Sequence, residues 1–309
     1  MSIDSIAMVV YLMRSIPADI PGQQGETRGQ RKKRLENTRV VPGFGITLGT
    51  TIAMLSILIL IPLASILVYA FRMKPSEFAE VLSTEQVRFA FLTSIGTSFI
   101  AALINAVFGV ILAWVLVRYD FPGKKILDGL IELPFAIPTA VAGITLSKLY
   151  ADNGFLGEPL SKLGIRVSYT HLGIIVAMVF IGIPFVVRSV QPVLADLDRQ
   201  YEEASMILGA GSRQTFFRVI LPEITPALLT GFGLAFARGI GEYGSVVYIS
   251  GNSARDHTQV VSYVIMQKLG YMDYSGATAV ALVMLVISFL MLLFINIIQI
   301  RQSRRTNNI

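Results

Sequence analysis

Residues Asp196–Pro226, DLDRQYEEASMILGAGSRQTFFRVILPEITP, form the longest water-compatible stretch between two strongly apolar runs. Leu197, Tyr201, Ala204 and Leu208 recur at i, i+4, i+7 and i+11, one stripe of a helix, with Arg199, Glu202 and Glu203 off it. Gly209-Ala210-Gly211 breaks that helix. Gly209 suits a C-terminal stop and Ser212 can cap a second helix. Pro222 and Pro226 then restart the chain toward the next apolar run. A short amphipathic helix hanging off a membrane is built to be gripped by a partner.

Composition supplies the membrane. Of 309 residues, 53% are hydrophobic and only 15% charged, where a soluble domain carries roughly 25% charged residues. The mean hydropathy is +0.64. The chain has no cysteine, which excludes disulfides, thiolate nucleophiles and thiolate metal sites. Its two histidines, His171 and His257, sit in different segments and offer little for an imidazole site. Neither a catalytic set nor a metal site is expected.

A bilayer core of ~30 Å needs about 20 mostly apolar residues per helix. Six runs meet this, at about 46–71, 92–117, 129–149, 172–190, 226–249 and 278–300. They are continuous rather than alternating, so the expected fold is an all-α membrane protein of six transmembrane helices and not a barrel. A polar tail, 1–45, precedes them. A loop at 196–225 joins the fourth to the fifth, and a basic tail, 301–309, closes the chain.

Most of the 26 Lys and Arg fall on one side of this arrangement. That side holds the Arg28–Arg39 cluster, Arg118, Lys124, Lys125, Arg188, Arg213, Arg218 and the C-terminal Arg301, Arg304 and Arg305. The positive-inside rule puts both termini and the 196–225 loop in the cytoplasm. The net charge of +6 is then mostly topology signal; it calls for membrane lipid around the chain and for no nucleic acid.

Ile3–Met13 is apolar but too short to span, and the basic run Arg31–Arg34 comes too late for a signal peptide. The segment is open to two readings, a helix lying on the membrane surface or a plain extension. Trp114 belongs where an interfacial anchor sits. Pro134 and Pro138 imply a kink in the third span, with Glu132 at its mouth either capping the interface or touching a gate. In the fifth span Gly233, Ala237, Gly241 and Ser245 recur every four residues, a small-residue stripe that lets another helix come close. Beside it lie Arg238 and Glu242, also four apart. Either they neutralise each other structurally, or they line a polar translocation route with Tyr243, Ser245 and Tyr248 nearby.

No Walker, dinucleotide-binding or protease motif is present, so the chain carries no machinery for hydrolysing a nucleotide. Two classes remain: a membrane subunit driven by a separate protein, or a self-sufficient anion channel or secondary carrier. The helix–Gly–helix loop and the scarcity of intramembrane charge favour the first.

The 196–225 loop resembles the EAA loop of ATP-binding-cassette importer permeases: Glu203-Ala204-Ser205, then Gly209, then Val219-Ile220-Leu221-Pro222. It departs from the family pattern at Ser205 and Val219, both small or isosteric changes. The resemblance runs on through LPFAIPTAVAG, NGFLG and FIGIPFVVRSVQP. Within the family, ARGIGEYGSVVYISGN is similar to the T subunits of sulfate/thiosulfate permeases; the W subunits and the molybdate/tungstate permeases have related patterns. The resemblance implies a type I importer permease in a bacterial plasma (inner) membrane that moves sulfate, and thiosulfate with it. It implies a second permease subunit of the W type, two ATPase subunits and a periplasmic sulfate-binding protein as partners. This chain would bind no cofactor; ATP and Mg would sit on the ATPase. It assigns Glu203 an ion pair with the ATPase and Gly209 the turn between the two helices. Ala204, Ser205, Leu221 and Pro222 complete the coupling set.

Overall fold

The computed structural model describes residues 44–198 and 200–306. The N-terminal stretch read as a surface helix or extension lies outside them, as does Arg199. Contacts divide the chain into one unit ending at Leu63 and another from Ala64 to the C-terminus.

The described residues are helical throughout their regular structure: α1 (Gly45–Arg72), α2 (Pro75–Ser83), α3 (Glu85–Arg118), α4 (Lys124–Ala136), α5 (Thr139–Leu149), α6 (Gly157–Lys162), α7 (His171–Asp196), α8 (Gln200–Ile207), α9 (Ser212–Ile240), α10 (Val246–Ile249), α11 (Val261–Gly270) and α12 (Tyr274–Thr306). Among them α1, α3, α7, α9 and α12 are each long and apolar enough to cross a membrane, and α4 with α5 makes a sixth crossing if the bent pair counts as one.

That bent pair differs from the single kinked span expected at 129–149. The two axes meet at 113°. Pro138 has no N–H to continue the ladder and pushes the residue before it out of the helical region, so Ile137 sits at φ −91°, ψ 131°. Pro134 alone is absorbed inside α4. The fifth span differs too. Its helix stops at Ile240 instead of running to 249, and a turn leads into the four-residue α10.

At its other end α9 is longer than expected. Pro222 and Pro226 do not restart the chain; α9 runs through both. The reason lies one turn upstream, where Phe216–Ile220 widens into a π-helical turn and the Leu221 N–H reaches back to the Phe216 carbonyl. A wider turn makes room for the proline ring, which would otherwise clash with the carbonyl four residues earlier. The same device recurs in α1, where Ser56–Leu60 is π-helical and the Ile61 N–H bonds the Ser56 carbonyl just before Pro62.

The core of the second unit is the mutual packing of α3, α7 and α9. Val186, Val190, Leu194, Ile224, Phe236 and Ile240 are buried in it. Glycine permits the close approach. A Cβ at Gly231 would stand 2.7 Å from the Val186 Cα, and one at Gly109 would stand 2.6 Å from the Val186 Cγ1. Gly231, Ala235 and Gly239 are the small stripe that faces this core, all buried. Helix α12 packs on α9, on α11 and on α2. Its start is capped by Asp273, whose carboxylate accepts from the Gly276 N–H at 2.8 Å. That bond, aided by Lys268, holds the carboxyl below its usual range against the opposing effect of burial.

Gly231→Ala drives a methyl into the Val186 backbone, and overpacking of this kind costs about 1–3 kcal/mol. It should lower the thermal unfolding midpoint of the purified protein in detergent. Gly96→Ala, where a Cβ meets nothing within 4 Å, should leave it unchanged or raise it slightly.

Candidate functional site: the α8 loop and the end of α9

Two places gather the residues singled out by sequence. The first is α8 with its flanks. The apolar stripe divides there. Leu197 packs back on the α3–α7–α9 core, while Tyr201, Ala204 and Leu208 are exposed. Ile207 and Leu208 are each 87% exposed, apolar side chains that this chain does not cover. Glu203 stands on the exposed side beside them. Glu202 turns the other way, and its Oε1 lies 2.6 Å from the Arg118 Nη2.

Gly209 ends α8 at φ +85°, a conformation that disfavours a side chain. The Gly209 N–H bonds the Met206 carbonyl at 2.9 Å and the Ala210 N–H bonds the Ser205 carbonyl at 3.0 Å. These are the two bonds of a Schellman stop. Ser212 does not cap α9: Gly211 holds the cap position with no side-chain bond. The contact across the break comes from Ser205 instead, whose Oγ lies 2.8 Å from the Thr215 Oγ1. Leu221 and Pro222 lie apart from the α8 group, inside α9 at the end of its π turn. That turn carries Phe216, which meets the Trp114 ring edge-on at 5.6 Å.

The second place is where α9 ends. Glu242 is 2% exposed. Its Oε1 accepts from the Ser245 N–H at 2.8 Å and from the Ser245 Oγ at 2.9 Å, its Oε2 accepts from the Arg238 Nη1, and its carbonyl accepts from the Ser262 Oγ at 2.6 Å. One residue thus ties α9 to the turn before α10 and to α11. Its carboxylate is fully engaged within the chain. Ser245 is likewise buried and presents nothing to an open path within this chain. Arg238 is different. Glu242 holds its Nη1, while 35% of its side chain remains exposed. Tyr243 is half-buried.

The packing residues also separate. Gly233 does allow a close approach, since its Cβ would stand 2.8 Å from the Ile295 Cγ2 of α12. Ala237 is half-buried. Gly241 is exposed, with the nearest atom to a Cβ being the Ala237 carbonyl oxygen at 4.0 Å, so within this chain it ends the helix and packs against nothing. The Glu132 Oε1 pairs with the Arg188 Nη2 at 2.7 Å, and Asp128 takes the Nη1 at 2.8 Å, fastening α4 to α7.

The profile of the family described as binding-protein-dependent transport system inner membrane component matches residues 105–308. The chain belongs to that family. Among curated relatives of this permease, the sulfate transport system permease protein CysT of Escherichia coli strain K12 is 46% identical over 271 residues, 88% of this chain and 98% of the relative. The CysT of Synechococcus elongatus is 43% identical over 250 residues, 81% and 90% of the two chains. Among solved structures, a bacterial ABC transporter that imports the acidic polysaccharide alginate superposes with a TM-score of 0.72 at 18% identity, covering 88% of this chain and 99% of that one. The MetNI methionine transporter gives 0.51 at 17% identity, over 69% and 94%. At these identities the likeness shows the fold. As a permease, the chain is a multi-pass inner-membrane component and not an enzyme.

The permease's two deep charges hold each other, and substitution tests each. Glu242→Ala leaves Arg238 without its partner and Ser245 without its acceptor, and breaking a buried pair costs about 3–5 kcal/mol. It should lower the unfolding midpoint in detergent. Arg238→Ala leaves the buried Glu242 carboxylate with Ser245 as its remaining partner, so it should lower the midpoint as well, and it should also sharply reduce substrate uptake in proteoliposomes.

Proposed function

We propose that this chain is the pore-forming permease of an ATP-driven sulfate importer, with thiosulfate as a second substrate. The reading is carried by 46% identity across 98% of a permease named for sulfate transport. Selectivity among tetrahedral dianions would come mainly from a periplasmic binding protein, because no cluster of fixed donors among the described residues matches such an anion. Arg238, presented by a buried carboxylate, would supply the positive charge met in transit.

The coupling reading rests on the exposed edge of α8. With the termini and the α8 loop in the cytoplasm, Tyr201, Ala204, Ile207 and Leu208 would enter a groove on an ATPase subunit, a helix-in-groove contact. Glu203 is free to pair with a basic residue there. A second permease subunit of the W type would complete the pore, with two copies of the ATPase below it. ATP and Mg would be held by those copies. Closure of the ATPase dimer would then shift a two-state equilibrium of the spans through differential contact with α8, with no chemistry in this chain.

ATP-driven uptake of labelled sulfate into proteoliposomes holding the whole complex tests the substrate. Excess thiosulfate should compete and molybdate should not; carriage of molybdate in place of sulfate would overturn the assignment. Glu203→Lys should strip the ATPase from the purified complex and abolish uptake. Gly209→Val should weaken coupling as well, since a β-branched residue resists the positive φ. Normal ATP-driven uptake by the Glu203→Lys complex would sink the coupling reading.

A further inference from the structure

Two consecutive glutamates on α8 face opposite ways, and the inward one meets a prepared site. The Arg118 and Glu202 side chains are only 9% and 17% exposed. Arg118 is the last residue of α3. Its Nη2 lies 2.6 Å from the Glu202 Oε1 and also donates to the Leu197 carbonyl at 3.4 Å, at the end of α7. Its guanidinium carbon lies 5.6 Å from the centre of the Trp114 ring. The far edge of that aromatic pair is Phe216, on the π turn of α9. One cation therefore touches the ends of α3 and α7 and the body of α8, and it reaches α9 through a single tryptophan.

The rest of the attachment of α8 is thin. Ser205 and Thr215 share one hydrogen bond, and no residue of α8 is buried. Without the ion pair, α8 would be held through the first turns of α9, by its packing there and by that hydroxyl contact. The pair is a charge contact in which neither the Arg118 Nε nor the Glu202 Oε1 completes a hydrogen bond, and among the described residues Glu202 is the carboxylate within ion-pair reach of Arg118. A buried cation left alone is costly, and the pair strongly favours one placement of α8.

We propose that Arg118 is the positioning residue of the coupling loop: its pair with Glu202 locks α8 to the ends of the α3–α7–α9 core, so that thrust delivered to the exposed face of α8 moves the spans and is not lost in rotation of the loop. The proposal rests on the coupling reading above and adds a division of labour: Glu203 engages the ATPase, and Glu202 hands the force to α3. Arg suits this place because its guanidinium lies over the Trp114 ring while its Nη2 meets two oxygens.

The test uses the whole complex in proteoliposomes and reads labelled sulfate imported per ATP hydrolysed. Glu202→Gln and Arg118→Gln should retain the ATPase on co-purification and hydrolyse ATP, with the import-to-hydrolysis ratio falling roughly fivefold or more. Arg118→Lys, which keeps the charge and loses the planar fork, should recover part of that ratio. An unchanged ratio in both glutamine variants overturns the proposal. So does loss of the ATPase from both, which would make the pair a device for assembly, or an Arg118→Lys ratio no better than that of Arg118→Gln. Glu203→Lys separates the two readings. If it keeps its ATPase and its uptake, the coupling reading fails; if it loses them while Glu202→Gln transports normally, only the role of Arg118 falls.

Discussion

Backbone polar groups inside a bilayer have no water to bond, and each proline within a span has to be reconciled with that constraint. Three solutions appear. Before Pro62 and Pro222 the helix widens into a π turn, and the N–H just ahead of each ring reaches back five residues. Pro184 and Pro192 are carried inside α7, whose flank is covered by α3 and α9. At Ile137-Pro138 the helix gives way, and α4 and α5 part at 113°. The choice among these sets the architecture. The π turn of α9 keeps the loop region and the span as one rod and aims Phe216 at Trp114. The break at Pro138 brings α5 against the turn that follows α9, where the Gly143 position leaves no room for a side chain beside the Ser245 backbone.

The two functional regions share a pattern. In each, a carboxylate turned inward is spent on holding an arginine, and the exposed chemistry belongs to a neighbour. Glu202 faces Arg118 and leaves Glu203 outside. Glu242 is saturated by Ser245 and Arg238, and the guanidinium keeps part of its surface free. A charge moved into low dielectric needs a partner at close range, and the partner in turn fixes the orientation of the element that carries it. Anchoring residues are therefore found next to working ones and look the same in sequence.

The helices and the turn at Gly209 were legible because their signals are local. Apolar runs of sufficient length and a glycine after the last helical residue each depend on a few neighbours along the chain, whereas the stripe from Leu197 to Leu208 does not form one helix face, because Leu197 is extended and the helix covers Gln200–Ile207. The small-residue stripe was legible only as a property of α9. Both Gly231–Ala235–Gly239 and Gly233–Ala237–Gly241 have the four-residue period, and periodicity does not say which faces α3 and α7. Arg118 and Trp114 were read as a topology charge and an interfacial anchor, since their partners Glu202 and Phe216 lie far along the sequence.

By itself the sequence determined that this is an all-helical membrane chain without nucleotide chemistry of its own, with an amphipathic helix–glycine–helix loop between its fourth and fifth apolar runs. Those properties follow from hydrophobic length, from the absence of residue types, and from dihedral preferences, all of which are written residue by residue. Only the tertiary structure decided which glutamate of the pair at 202 and 203 turns inward, that Glu242 is an anchor while Arg238 stays partly exposed, and that the third apolar run folds as two limbs. Each of these depends on which distant side chain arrives within about 3 Å, the range at which a charge-assisted hydrogen bond outweighs exposure to water.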